Sequence, residues 1–172
     1  MSFLRFLKLN PSNQPASSPE TETVRKITDA LDRLEPERAR YIAAFAFLLG
    51  RIARADLHIS PEETRVMERI VMEKGGVPEE QAIIVIQIAK TQNILFGSTE
   101  NYLVSREFNE TATREQKLAL IDCMFAVAAA DESISTVEDN EVSQVADELR
   151  IEHKDFIAIR STYRNHLAVL KN

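Results

Sequence analysis

Residues 55–63, Ala-Asp-Leu-His-Ile-Ser-Pro-Glu-Glu, recur 75 positions later as residues 130–138, Ala-Asp-Glu-Ser-Ile-Ser-Thr-Val-Glu. Five of the nine positions are identical: the Ala, the Asp, the Ile, the Ser and the final Glu. Each copy follows an apolar run with helical spacing and precedes a second such run. Such self-similarity indicates a duplicated supersecondary element. The chain is therefore predicted to contain two helix–corner–helix units, each with an acidic corner.

The composition favours an all-α fold. The 172 residues suffice for one domain with its own core, and 44% hydrophobic with 28% charged residues is an ordinary globular balance. There are only four Gly and six Pro, and no segment alternates with the period of a strand. We predict a compact bundle of about eight helices. The net charge of −6 gives no support for nucleic-acid binding.

Helical spacing and helix-ending residues define the expected elements. The segment from Pro78 to about Asn93 is apolar nearly all round and is predicted to be the central buried helix. The last helix is predicted to run from about His153 to Leu170. Residues 21–172 are expected to form the helical domain, with repeat units at about 36–93 and 112–170.

The amino-terminal residues 1–9, Met-Ser-Phe-Leu-Arg-Phe-Leu-Lys-Leu, combine apolar and basic side chains, and residues 10–20 are expected to be a flexible linker. A tethered segment of this kind can make a weak contact with a membrane surface or a partner groove. The alternative is a short helix folded onto the domain, or a frayed terminus. No apolar run reaches the ~20 residues that a bilayer requires. The expected location is the cytoplasm, either free or peripheral to the inner membrane.

The acidic corners have a purely local explanation. Ser60 with Glu63, and Ser135 with Glu138, have the spacing of a capping box, in which the Ser and the Glu satisfy each other's backbone N–H groups. The Asp of each corner can accept a hydrogen bond within the turn, and the Ile can pack against the following helix.

A divalent cation is the alternative explanation. The pattern resembles the second half of an EF-hand loop, but the first-half ligands and the central glycine are missing, which excludes an EF-hand. Four carboxylates, those of Asp56, Glu63, Asp131 and Glu138, remain candidate ligands for Ca²⁺ or Mg²⁺, since hard cations prefer oxygen. Arg54 stands against this interpretation, because it can neutralise Asp56.

Catalysis has little support in the sequence. There is no glycine-rich phosphate loop and no His/Cys spacing typical of zinc. The single cysteine, Cys123, lies in an apolar run and is interpreted as a small core residue. We predict no catalytic residues, and we expect that the protein is not an enzyme.

Residues 128–138, Ala-Ala-Ala-Asp-Glu-Ser-Ile-Ser-Thr-Val-Glu, and the matching residues 55–63 resemble the TerB-like family, the tellurite resistance proteins TerB and their relatives. The resemblance covers about residues 36–170, and residues 99–108 look like an uncharacterised bacterial branch. Where that family usually has Asp-Gly, this chain has Leu57 and Glu132 after the Asp. The resemblance implies an all-helical fold of two pseudo-repeated halves, and related modules occur in DnaJ-like membrane co-chaperones.

The function that the resemblance implies is a non-enzymatic helical module in a stress-response complex near the membrane. It also implies that the acidic positions, here Asp56, Glu63, Asp131 and Glu138, bind a divalent metal. The alternative is a purely structural adaptor or a co-chaperone-like accessory domain, docked through residues 1–9. Both hypotheses require a protein partner.

Overall fold

The computed structural model describes residues 19–53, 60–95 and 101–171. Its eight α-helices are α1 (Pro19–Asp32), α2 (Pro36–Ala53), α3 (Pro61–Gly75), α4 (Glu79–Leu95), α5 (Asn101–Thr111), α6 (Arg114–Ala128), α7 (Thr136–Glu148) and α8 (His153–Thr162). Short 3₁₀ turns at Ala129–Asp131, Arg164–His166 and Ala168–Leu170 complete the described chain. The all-α prediction is confirmed: no strand ladder occurs within these ranges, and one isolated bridge joins Ile134 to Leu167.

The central helix is α2, and the prediction that the segment from Pro78 to Asn93 occupies the centre is wrong. Every residue from Tyr41 to Ile52 is buried, and α2 packs against α1, α4, α5, α6 and α7. Helix α4 packs closely on α2 but leaves Ile83 38% exposed. The apolar pattern of α4 therefore did not identify the central helix, because α2 has charged residues in its first turns and Arg51 near its end, although residues 41–52 are all buried.

The carboxyl-terminal helix also differs from the prediction, because it ends at Thr162 rather than Leu170. The Ser161 and Thr162 hydroxyls donate to the carbonyls of Ile157 and Ile159, a local competition that weakens a helix end. Leu167 then adopts an extended conformation, with φ −69° and ψ 115°, and pairs with Ile134. A long-range backbone contact thus replaced the predicted last two turns.

Each half of the bundle has its own aromatic cluster. In the first half Tyr41 lies against Phe45 and Phe108, with ring centroids 5.9 and 5.5 Å away. In the second half Phe125 lies against Phe156 and Tyr163, at 5.8 and 5.5 Å. The buried side chains of both clusters belong to one continuous core.

The contact between the end of α3 and Phe45 of α2 depends on a glycine. A Cβ atom at Gly75 would lie 2.9 Å from Cζ of Phe45, which is too short for a normal contact. The next residue, Gly76, has φ 62° and ends α3 in the left-handed conformation, which glycine adopts without a steric penalty. No helix in the described ranges is long and apolar enough to cross a membrane.

Candidate functional site

The second acidic corner is a tight reversal between α6 and α7. The 3₁₀ turn Ala129–Asp131 is followed by Glu132 at φ 72°, a conformation that suits glycine. Oδ1 of Asp131 accepts a hydrogen bond from the backbone N–H of Ser133 at 3.3 Å. The Asp131 side chain is exposed. The predicted role of this aspartate within the turn is therefore confirmed.

A carboxyl-terminal strap, residues 166–171, holds this corner against the bundle. The backbone N–H of Ile134 donates to the carbonyl of His166 at 2.7 Å, and the N–H of Ala168 donates to the carbonyl of Ile134 at 2.9 Å. Nζ of Lys171 lies 3.3 Å from the carbonyl oxygen of Glu132. Ile134 itself is fully buried. No local pattern predicts this strap, because Ile134 and the strap are separated by about thirty residues.

Both predicted capping boxes are confirmed. The N–H of Glu63 donates to the Ser60 hydroxyl at 3.1 Å, and the N–H of Ser60 donates to the Glu63 carboxylate at 2.6 Å. The corresponding distances at Ser135 and Glu138 are 3.2 and 2.8 Å. The hydrogen bonds from Ser60 hold the pKa of Glu63 below its usual range.

The proposed cation ligands are only partly placed. Asp56 and Arg54 lie outside the described residues, as does Ile59. Glu63 and Glu138 accept hydrogen bonds in the capping boxes of the first and second corners. Asp131 lies in the second corner, as Glu138 does. Within the described ranges no three His, Cys, Asp or Glu side chains are close enough to hold a metal ion. The cation hypothesis for the four residues stays a prediction, since one corner is not described.

Of the neighbouring acidic residues, Asp139 has a definite partner. Its two carboxylate oxygens accept from Nε and Nη2 of Arg160 at 2.8 and 2.6 Å. This bidentate pair joins the start of α7 to the end of α8, and it raises the pKa of Arg160. Asp139 is therefore used to dock α8.

A polar cluster that the sequence did not predict lies between α2, α5 and α7. Arg51, only 4% exposed, donates from Nε to Glu141 at 2.5 Å and from Nη1 to Glu148 at 2.8 Å. The Ser105 hydroxyl of α5 also donates to Glu148, and Gln144 donates to it at 3.1 Å. Three helices thus meet at the Glu148 carboxylate, which accepts from Arg51 of α2 and Ser105 of α5.

The electrostatics of the Arg51 cluster are balanced by its hydrogen bonds. Burial favours the neutral form of Glu148, but the hydrogen bonds from Arg51 and Ser105 outweigh it and lower the pKa of this carboxyl. Burial likewise opposes the charge of Arg51, yet its two carboxylate partners raise its pKa. The sequence signals that could have indicated this cluster are an arginine within the apolar run 41–53 of α2 and two glutamates seven residues apart on α7.

Cys123 is fully buried, and its pKa is raised by that burial, so the thiolate is disfavoured. This confirms its interpretation as a core residue. Of the histidines, His153 is exposed and His166 supplies a backbone carbonyl to the strap.

A comparison with known protein families matches the part of the chain that contains the repeat. The family model described as tellurite resistance protein TerB matches residues 42–161. The chain belongs to the TerB family. The matched TerB residues include both corners, both capping boxes and the Arg51 cluster, whereas residues 35–41 and the strap lie outside them. No curated protein and no solved structure matches the chain at a significant level.

Proposed function

We propose that this TerB-family chain is a non-catalytic interaction module of a stress-response complex of the tellurite-resistance type. The observation that carries the proposal is the surface beside the second corner. Val137, in the first turn of α7, is 78% exposed, and the exposed Asp131 and Glu132 lie just before it. An exposed apolar side chain beside exposed charges can take part in a contact surface. The residues of the corner serve in caps and in the strap, which supports a presented surface rather than a reaction centre.

A capture experiment with a charged substitution tests this function. The protein is tagged, produced in its own cells and recovered with its partners, as wild type and as Val137→Asp. We expect one specific partner to be lost from Val137→Asp and retained by Val66→Asp, which charges a 40% exposed valine of α3. Tolerance of the cells to tellurite should fall with Val137→Asp only. Equal capture and equal tolerance for both variants would refute the proposal.

Divalent-cation binding at the acidic corners is the second candidate function, with Asp56, Glu63, Asp131 and Glu138 as ligands. Its support is the exposed carboxylate of Asp131, of which only Oδ1 accepts a hydrogen bond within the described chain. A cation at 100 times its Kd should stabilise the fold by about 2.7 kcal/mol. Melting is followed during titration with Ca²⁺, Mg²⁺ or Zn²⁺, for wild type, Asp131→Asn and the exposed control Asp147→Asn. A cation effect that persists in Asp131→Asn argues against this site.

Docking through residues 1–9 is the proposal for recruitment to a membrane or partner. Its support is the sequence alone, with Arg5 and Lys8 among six large apolar residues, because this segment lies outside the described residues. Anionic vesicles should co-sediment the full chain more than a variant that lacks residues 1–18. Equal sedimentation of the two would remove this segment from the proposal.

A further inference from the structure

A polar groove lies between the first turns of α2 and the junction of α5 with α6. Its volume is about 580 Å³, within the usual range of ligand-binding pockets. Arg38, Arg40 and Tyr41 line it from α2, and Glu110 lines it from α5. The groove is distant in sequence from both acidic corners, and its α2 residues lie outside the residues that match the TerB family.

Tyr41 is the unusual residue of this groove. It is 7% exposed, and its ring stacks on Phe108 at an interplanar angle of 23°. Its hydroxyl forms no hydrogen bond with any described residue, although a buried hydroxyl without a partner is unfavourable. In the second half of the bundle, the Tyr163 hydroxyl by contrast donates to the Asp122 carboxylate. Tyr41 thus offers an unused donor at the groove, and its burial raises its pKa, which keeps the proton in place.

Arg38 supplies a second donor that is already oriented. Its Nε donates to Oε1 of Gln81 at 2.7 Å, and its guanidinium carbon lies 5.0 Å from the centre of the Tyr41 ring. These two contacts fix the plane of the guanidinium. Its terminal nitrogens form no hydrogen bond or ion pair with the described part of the chain. Two positioned donors with no acceptor suit a carboxylate.

The charge around the groove restricts what can carry that carboxylate. Glu35, Glu37 and Glu110 also line the groove, against the two arginines. A free anion would meet three carboxylates there, whereas an acidic side chain with basic neighbours would satisfy both kinds of charge. The lining therefore favours a peptide segment of mixed charge.

We propose that this groove binds a segment of a partner protein, whose glutamate or aspartate side chain accepts hydrogen bonds from the Tyr41 hydroxyl and the Arg38 guanidinium. Basic residues that flank the acidic residue face Glu35, Glu37 and Glu110. The inference rests on the proposed interaction function only in that the ligand belongs to a protein. It adds a second contact surface, which is separate in sequence from Val137.

A labelled peptide tests the groove directly. The probe has one central glutamate and a lysine two positions to either side, and its binding is followed by fluorescence anisotropy at low ionic strength. We expect saturable binding to the full chain, weakened about tenfold or more by Tyr41→Phe and by Arg38→Ala, because a hydrogen bond to a charged group is lost. The matched controls Tyr102→Phe and Arg69→Ala change exposed residues of the same types and should bind like wild type.

Further measurements test the role of the carboxylate, the requirement for a peptide and the state of the Tyr41 hydroxyl in the free protein. A probe with glutamine in place of glutamate should lose about the same factor as Tyr41→Phe, and acetate should compete only at far higher concentration than the peptide. The melting temperature should stay at or slightly above that of wild type for Tyr41→Phe, which removes a buried hydroxyl without a partner among the described residues, and fall for Tyr163→Phe, whose hydroxyl donates to Asp122. Val137→Asp should bind the probe normally, which separates this inference from the proposed function.

The proposal is overturned if Tyr41→Phe and Arg38→Ala bind the probe as well as wild type does, or if the glutamine probe binds equally. Competition by acetate at the concentration of the peptide would overturn the requirement for a partner segment. A large loss of melting temperature in Tyr41→Phe would show that the hydroxyl already has a partner in the free protein.

Discussion

The two helix–corner–helix units, α2–α3 and α6–α7, have the same helix caps but different residues at the interface where they pack against each other. Both second helices begin with a Ser–Glu capping box of nearly the same geometry. Their ends differ: α3 is followed by Gly76 at φ 62°, and α7 is followed one residue later by Arg150 at φ 56°. The first unit also provides Arg51, whose counterpart 75 positions on is Ala126. The repeat therefore preserves the caps but not the interface between the units.

The Arg51 cluster makes the charges at this interface asymmetric between the two units. The cation comes from α2 of the first unit and both carboxylates come from α7 of the second. A buried ion pair contributes little compared with apolar residues of the same shape, but removing one partner leaves an uncompensated charge. We therefore interpret the cluster as specifying how the two units pack against each other, rather than as adding net stability.

The largest expected effect is that of Arg51→Ala, which leaves Glu141 and Glu148 without their cation. We expect the free energy of unfolding to fall by about 3–5 kcal/mol, measured by urea denaturation. Arg69→Ala, at an exposed position of α3, should change it by less than about 0.5 kcal/mol. A loss below about 1 kcal/mol for Arg51→Ala would show that the two units are held together without this cluster.

The next effect is a pH dependence. Because the folded-state pKa of Glu148 lies below its ordinary value of 4.5, its contribution is fully present above pH 4.5 and is lost as the pH falls through the lower folded value. Wild-type stability should therefore decline below pH 4.5 more steeply than that of Glu148→Gln. Urea denaturation at pH 7 and pH 3 measures the difference, with Glu115→Gln as an exposed control. Parallel declines for wild type and Glu148→Gln would contradict the assignment.

The caps should have smaller effects of equal size in the two units. Ser60→Ala and Ser135→Ala each remove an acceptor for a backbone N–H at a helix start, which typically lowers stability by about 1 kcal/mol. Thermal and urea unfolding of the two variants measures both. A much larger loss for Ser135→Ala would mean that the strap couples this cap to the rest of the fold.

The smallest expected effect is a gain in stability. Glu132 and Arg150 occupy left-handed conformations in which glycine avoids a steric penalty. Glu132→Gly and Arg150→Gly should each raise the free energy of unfolding by about 0.5–1 kcal/mol, since relief of strain exceeds the added chain entropy. Glu115→Gly, in the first turn of α6, should lower it instead. A loss of stability in either left-handed variant would show that its side chain makes a stronger contact than its exposure indicates.

The sequence by itself determined the elements that depend on neighbouring residues. The all-α class, the Ser60 and Ser135 caps, the glycine end of α3 and the burial of Cys123 all follow from side chains that act within a few positions, so their patterns are visible in one dimension. The tertiary structure decided which helix is central, where the last helix ends, and what Arg51 and Tyr41 contact. Those outcomes depend on groups far apart in sequence, whose desolvation and hydrogen bonding are set only when the helices pack.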